Sequence, residues 1–143
     1  MTCFFTSSPC VQGASELNPA NGFIDELCRV LPNLCRALFI TAEPDLPDWT
    51  EMVAGFTRDS FENAGFKFSE YQVLERRTAD RAEEWIESSD LIILAGGHVP
   101  TENRFFADLK LRTLLQGYEG VIVGISAGSM NSAEVVYAQP ERE

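Results

Sequence analysis

The residues best placed to do chemistry lie in the segment Gly124-Ile125-Ser126-Ala127-Gly128. A serine in a G-x-S-x-G pattern is typical of a nucleophile elbow, a sharp turn between a strand and a helix that projects the hydroxyl above the sheet. The two glycines leave room for the strand and the helix to approach each other. The amide of Ala127 is expected at the helix N-terminus, where an unpaired N–H and the helix dipole stabilise a developing oxyanion. Ser126 is therefore the candidate nucleophile.

A glycine pair, Gly96-Gly97, follows the apolar run at residues 91–95, which is the last apolar strand pattern before the one that leads into Ser126. Taken alone, such a pair indicates only a turn that ends a strand. Beside an elbow it gains a second meaning, because oxyanion holes take their second N–H from a glycine-rich loop next to the nucleophile. We expect the amide of Gly97 to be that donor.

Strand and helix patterns alternate along the chain that must position these residues. Apolar runs predict strands at residues 3–6, 37–42, 66–74, 91–95 and 120–125. Helix patterns with apolar faces follow them at residues 21–31, 45–65, 79–88, 101–117 and 127–137. The order predicts an α/β fold, a mostly parallel sheet with helices on both faces. Sites in such sheets lie beyond the carboxyl ends of the strands, which are the loops after Thr41, Ala95 and Ile125.

Finer features of the pattern give further expectations. The run at residues 66–74 alternates apolar and polar residues, which favours a strand nearer a sheet edge. Asn21 and Thr101 are expected to cap the helices that follow them. If the Ser126 strand is central in the complete sheet, a chain that stops at Glu143 exposes an apolar edge. Exposed edges pair with other chains, so we expect a homodimer or a larger assembly.

Composition excludes several classes of function. The chain has 143 residues, 45% of them apolar, which suits a single globular domain over residues 1–143. A net charge of -11 argues against a nucleic-acid partner. The chain has no apolar run of the ~18 residues that a membrane span needs, and no basic signal-peptide start, so we expect a cytoplasmic protein. The four cysteines form no CxxC pair; we expect reduced, mostly buried thiols and no metal site.

Two motifs carry a resemblance to a known family: Leu94-Ala95-Gly96-Gly97 and the run from Val121 to Asn131. Together they resemble the dipeptidase E and cyanophycinase group of serine peptidases, which have a flavodoxin-like, class I glutamine amidotransferase-like fold. The element order over about residues 36–138 agrees with that family. The resemblance implies a Ser126 nucleophile, oxyanion donors at Gly97 and Ala127, and hydrolysis of small aspartyl peptides without a metal or cofactor.

The chain departs from the family in two ways. His98 stands after the glycine pair, where members usually have Asn or Asp. The family's catalytic histidine follows the serine on a later strand, and no histidine follows Ser126 in this sequence. Because members are also longer, the chain is expected to be the N-terminal portion of such a fold, truncated at its C-terminal end. His98 is the one histidine that could act as the base. The alternative is that His98 is a solvent-exposed loop histidine without this role.

Several polar residues could also touch the site. Asn131 lies one turn past the elbow, where it could orient a loop. Glu43, Glu102 and Glu134 fall near loops or helix starts, where carboxylates are mostly solvated.

The leading interpretation is a peptidase E-type serine hydrolase that needs a base to be supplied and acts on a small peptide. The rival is a catalytically silent binding or assembly module on the same fold. Glutamine amidotransfer would need a cysteine at position 126, and no G-x-G-x-x-G or P-loop supports nucleotide binding.

Overall fold

Five parallel strands form a single sheet in the computed structural model, which describes residues 1–140. The strands are β1 (Thr2–Thr6), β2 (Leu34–Ile40), β3 (Lys67–Leu74), β4 (Leu91–Leu94) and β5 (Val121–Ile125). Their order across the sheet is β1-β5-β4-β2-β3. The α/β fold with a parallel sheet is therefore confirmed, as is the placement of β3 at an edge. The single-domain prediction extends to Glu143, and residues 141–143 lie outside the described residues.

Helices cover both faces of the sheet. They are α1 (Phe23–Val30), α2 (Pro47–Asn63), α3 (Ala82–Ser88), α4 (Val99–Asp108), α5 (Leu111–Leu114) and α6 (Ala127–Met130), with short 3-10 helices at Ala20–Gly22 and Arg76–Arg81. Leu27 and Phe61 from α1 and α2 pack with Phe39 in one core layer. Ile86 and Phe105 from α3 and α4 pack in the other. β4 and β5 contain only apolar residues and glycine, and β2 is apolar from Ala37 onward, because both faces of the sheet are covered there.

The sheet edge differs from the expectation based on the Ser126 strand. β1 pairs in parallel with β5, with Phe5 opposite Gly124, so β5 is an interior strand. The edge on this side is β1, where the Phe5 side chain is 58% exposed. β5 is therefore paired on both sides, by β1 and by β4. The homodimer remains a prediction.

Two predicted caps are wrong. Asn21 has a left-handed backbone conformation (φ 59°), and Gly22 is the N-cap of α1, with no capping side chain. Thr101 lies inside α4, whose N-cap is His98 and whose first turn contains Pro100. Proline suits the first turn because its missing N–H is not needed there, and it moves the start of the helix upstream of Thr101.

The predicted helix bounds also need correction near the C-terminus. The helix expected over residues 101–117 is divided into α4 and α5 because Lys110 between them adopts a left-handed conformation (φ 55°). The last helix ends at Met130 rather than at Tyr137. Val135 and Tyr137 are 84% and 80% exposed, so the following residues have no packed face to hold a helix.

The cysteines are free thiols, and the expectation that most are buried is wrong. Cys3 and Cys28 are exposed, Cys10 is half-buried, and Cys35 is buried. Across residues 1–140, each helix is too short or too polar to cross a membrane.

Candidate functional site

Ser126 lies at the turn where β5 ends and α6 begins. Its backbone has φ 49° and ψ -107°, a conformation that costs free energy for any residue with a side chain. The helix starts at once, since the amide of Met130 donates to the carbonyl oxygen of Ser126 at 3.0 Å. The side chain is exposed, and its hydroxyl makes no hydrogen bond to another residue of the described chain. The geometry is that of a strained strand-to-helix turn with a presented hydroxyl.

The glycines of the motif allow the close packing that the turn needs. A Cβ at Gly128 would overlap the carbonyl oxygen of Leu94 on β4. A Cβ at Gly124 would lie 2.9 Å from Oγ of Ser129 on α6. Any side chain at either position would therefore push α6 away from the two strands beneath it.

Thr6, the last residue of the edge strand β1, holds the elbow in place by hydrogen bonds. Its carbonyl oxygen accepts from the amide of Ser126 at 2.8 Å and from Oγ of Ser129 at 2.8 Å. Its own amide donates to Oγ of Ser129 at 3.0 Å, and its hydroxyl donates to the carbonyl oxygen of Gly124 at 2.9 Å. Sequence reasoning missed Thr6 and Ser129. The signal would have been the pairing of β1 with β5, which element order alone does not reveal.

The loop after β4 lies beside the elbow. A Cβ at Gly96 would be 3.5 Å from Cβ of Ser126, which places this glycine directly against the serine. Gly97 faces the loop after β2 instead: a Cβ there would be 2.6 Å from Cβ of Ala42 and 3.4 Å from the Trp49 ring. The two motifs singled out from the sequence are therefore neighbours in space. Ala127 is buried at the first position of α6.

His98 follows the glycine loop and is exposed. Its amide is 3.3 Å from Oε1 of Glu43, to which it donates, and its Nδ1 lies 2.7 Å from the hydroxyl of Thr101. Neither of these contacts joins His98 to Ser126. The residue is placed at the correct end of the sheet for a base, and its ring is oriented toward α4.

Asn131 connects the elbow helix to α4. Its side-chain amide donates to the carbonyl oxygen of Val99 at 3.1 Å and to Oε1 of Glu102 at 2.9 Å. Its carbonyl oxygen accepts from the side chain of Asn103 at 3.1 Å. Asn131 therefore joins the end of α6 to the start of α4.

Glu102 is the residue on which the expectation of a solvated carboxylate is wrong. Its side chain is fully buried, with 0% exposure, whereas Glu43 is half-buried and Glu134 is exposed. The pKa of Glu102 is raised to about 8, chiefly by burial; the hydrogen bond from Asn131 opposes the shift, and the negative charge of Glu43 adds to it.

A cleft of about 450 Å³ lies next to this cluster. Gly97, His98 and Val99 line one side, together with Pro100, and Met130 and residues 138–140 line the rest. The C-terminal end of the described chain therefore borders the glycine loop, at the end of the sheet where the Ser126 hydroxyl is presented.

Comparison with known proteins supports the fold. No protein-family model matches the chain, and no curated protein matches it. Among solved structures, the crystal structure of a peptidase from an acI-B1 Actinobacterium is similar, with a TM-score of 0.59 and 19% sequence identity. The match covers 90% of this chain and 55% of that one, so the chain spans about half the length of that peptidase. At this identity the likeness shows the fold alone.

Proposed function

We propose that this chain is a serine-hydrolase-like protein of the peptidase E type, which hydrolyses small aspartyl peptides through Ser126 when a general base is supplied. The observation that carries the proposal is the strained backbone of Ser126 (φ 49°, ψ -107°) directly against Gly96. Such strain costs on the order of 1–3 kcal/mol and is concentrated at functional sites. A turn with no role beyond chain reversal would place glycine here.

The proposed reaction is acyl transfer to the serine. Oγ of Ser126 attacks the peptide carbonyl carbon, and its proton passes to the base. The amides of Ala127 and Gly97 donate to the oxyanion that forms. The C–N bond then breaks as the leaving amine takes the proton, and water hydrolyses the acyl ester to free the enzyme. The reaction needs no metal or cofactor.

The base is the open part of the mechanism. A positioned base contributes on the order of 10² to 10⁴ in rate. His98 is the candidate within this sequence, and its use requires the ring to leave Thr101 and turn toward Ser126. Otherwise the base comes from outside this sequence. The likeness to a longer peptidase, of which the match covers 55%, supports peptide hydrolysis and is compatible with either source of the base.

A second candidate function is a silent binding or assembly module on the same fold. The specific observation in its favour is that the Ser126 hydroxyl has no hydrogen-bond partner within residues 1–140. On this proposal the elbow is kept for its shape, and the cleft beside Gly97 binds a peptide without cleaving it.

A fluorophosphonate probe followed by intact-mass measurement separates the two functions. We expect one adduct on the wild type, none on Ser126→Ala, and an unchanged adduct on Ser7→Ala, a control at an exposed serine. An unlabelled wild-type protein contradicts the proposal that Ser126 is a nucleophile. If His98 is the base, His98→Gln lowers the labelling rate 10²-fold or more; an unchanged rate assigns the base elsewhere. Release of aspartate from Asp-Ala, compared with Ala-Ala, tests the substrate class.

The homodimer and the cytoplasmic location are further parts of the proposal. The exposed β1 edge supports self-association, because its backbone groups and Phe5 have no partner strand within the described chain. Light scattering at micromolar concentration measures the mass directly, and a value near 15.9 kDa contradicts the dimer.

A further inference from the structure

Glu102 is a buried carboxyl group with one oxygen unaccounted for. It lies in the first turn of α4 at 0% exposure, and its Oε2 has no hydrogen-bond partner within residues 1–140. No lysine or arginine of the described chain forms an ion pair with it. A buried carboxylate without a compensating charge or donor is strongly unfavourable, whereas a neutral carboxyl group is tolerated far better.

The charges around Glu102 also favour the neutral form. Glu43, in the loop after β2, is the like charge that acts on it, and its Oε1 accepts from the amide of His98 just before α4. Arg76, from the second 3-10 helix, lies over the Phe105 ring one turn further along α4. That guanidinium is already paired with two aspartates, Asp45 and Asp108. α6 contributes only the neutral amide of Asn131.

Asn131 links the carboxyl group of Glu102 to the elbow helix α6 by hydrogen bonds. The backbone amide of Asn131 donates to the carbonyl oxygen of Ala127 at 2.8 Å, so this residue closes α6. Both hydrogens of its side-chain amide bind α4, one at Val99 and one at Oε1 of Glu102. The start of α4 continues directly from the Gly96-Gly97 loop. One side chain therefore links the helix that carries one proposed oxyanion donor to the segment that follows the other.

We propose that Glu102 is a positioning residue whose neutral form holds the elbow helix against the Gly96-Gly97 loop and whose ionisation loosens that contact. The activity part of this proposal rests on the proposed function. Ionisation would place a buried negative charge near the half-buried Glu43 and leave Oε2 charged without a donor, a cost that outweighs the stronger hydrogen bond from Asn131 to a carboxylate. Water or movement of α4 must then relieve the charge. Displacement of an oxyanion donor by 1 Å costs about 10²-fold in rate.

The test compares the pH dependence of Ser126 labelling by a fluorophosphonate in the wild type and Glu102→Gln. Glutamine has the same shape, accepts from Asn131 through Oε1, and cannot ionise. With a pKa of about 8 for Glu102, the neutral fraction falls about tenfold between pH 7 and pH 9. We expect the ratio of the wild-type rate to the Glu102→Gln rate to fall by about that factor. Glu83→Gln, at an exposed carboxylate on α3, should keep the wild-type profile.

A second measurement keeps this proposal separate from the proposed function. Amide hydrogen exchange, read by mass spectrometry without the probe, reports on residues 97–103 and 127–131. Above pH 8 we expect faster exchange in both segments of the wild type than in Glu102→Gln, after normalisation to residues 47–63 of α2. If Glu102→Gln does not fold, the same normalised rise with pH in the wild type is the test. Normalised exchange that is flat with pH, or identical in both proteins, overturns the proposal. An unlabelled Ser126 with a pH-dependent exchange contradicts only the proposed function.

Discussion

Thr6 and Ser129 are joined by two hydrogen bonds between the end of β1 and the elbow helix. The hydroxyl of Ser129 donates to the carbonyl oxygen of Thr6 at 2.8 Å and accepts from its amide at 3.0 Å. The strand ladder ends at this point, so a side chain satisfies backbone groups that a further strand residue would otherwise pair. The helix that carries the oxyanion candidate Ala127 is thereby fixed to the edge strand as well as to β5.

Ser129→Ala should destabilise the fold and slow labelling of Ser126. Removal of the hydroxyl leaves the amide of Thr6 without a partner, and such a loss costs about 1–3 kcal/mol where water cannot replace the bond. Urea unfolding gives the stability, and fluorophosphonate labelling gives the rate. Ser7→Ala, at an exposed serine just after β1, should change neither the stability nor the labelling rate. Equal stability of Ser129→Ala and the wild type would show that water replaces the hydroxyl.

The order of elements was predictable because each apolar run is bounded by turn residues, and because buried parallel strands are apolar throughout. The order of strands was not. Thr6 looks like the end of an isolated short strand, and nothing local shows that it pairs beside Ile125 across more than a hundred residues. The brace formed by Thr6 and Ser129 depends on that pairing, so it could be found only in three dimensions.

Gly128→Ala should be among the most damaging single substitutions in the motif. Its Cβ would overlap the backbone oxygen of Leu94, which cannot move away without disturbing β4. Overpacking in a core costs about 1–3 kcal/mol and more against backbone. Gly55→Ala is the matched control: it lies inside α2 with open space around it and should gain about 0.5–1 kcal/mol. Urea unfolding of both variants checks the prediction, and equal changes would contradict the packing.

Ser126→Gly should be more stable than Ser126→Ala. Glycine relieves the strain at φ 49°, ψ -107°, while alanine keeps it. After the entropy that glycine loses on folding, the expected difference is about 1 kcal/mol. The same pair of substitutions at Asp59, exposed in the middle of α2, should give the opposite sign, since glycine is the poorer helix former. Thermal or urea unfolding of the four variants decides it. Alanine more stable at both sites would show that the elbow is unstrained.

Gly97→Ala should lower the labelling rate, in part by a steric effect that a second substitution relieves. The new Cβ would be 2.6 Å from Cβ of Ala42, so the glycine loop must shift away from its place beside the elbow. Ala42→Gly removes the opposing atom but not the strain of a side chain at φ 158°, so the double variant should regain part of the lost rate. Labelling kinetics of the two single variants and the double variant form the test. A double variant as slow as Gly97→Ala would assign the loss to the backbone strain at φ 158° rather than to the contact with Ala42.

The burial of Glu102 was not readable from the sequence. A glutamate in the first turn of a helix is ordinarily solvated and favours the helix dipole, and Pro100 two residues earlier strengthens that interpretation. Burial arises because α6 lies across the start of α4, bringing Asn131 against the carboxyl group. Asn131 itself was identifiable one turn past the elbow, but its partner was not.

Glu102→Gln should remove a pH dependence of stability. In the unfolded chain Glu102 ionises near its ordinary pKa of 4.5, and in the folded protein its pKa is about 8. Between these values folding takes up a proton, so the free energy of unfolding falls as pH rises, by at most about 1.4 kcal/mol per pH unit from this group. Below pH 4.5 both states are neutral and the effect vanishes. The stability of Glu102→Gln relative to the wild type should therefore increase from pH 5 to pH 8.

Urea unfolding at pH 5, 6, 7 and 8 measures that difference, with Glu83→Gln as the exposed control that should show almost no trend. Any fixed cost of the glutamine amide shifts all four values equally, because it does not titrate. The slope, rather than the offset, therefore reports the carboxyl group of Glu102. A constant difference between the two proteins across the four pH values would mean that Glu102 is ionised in the folded state. The proposal that Glu102 is neutral when it accepts from Asn131 would then be wrong.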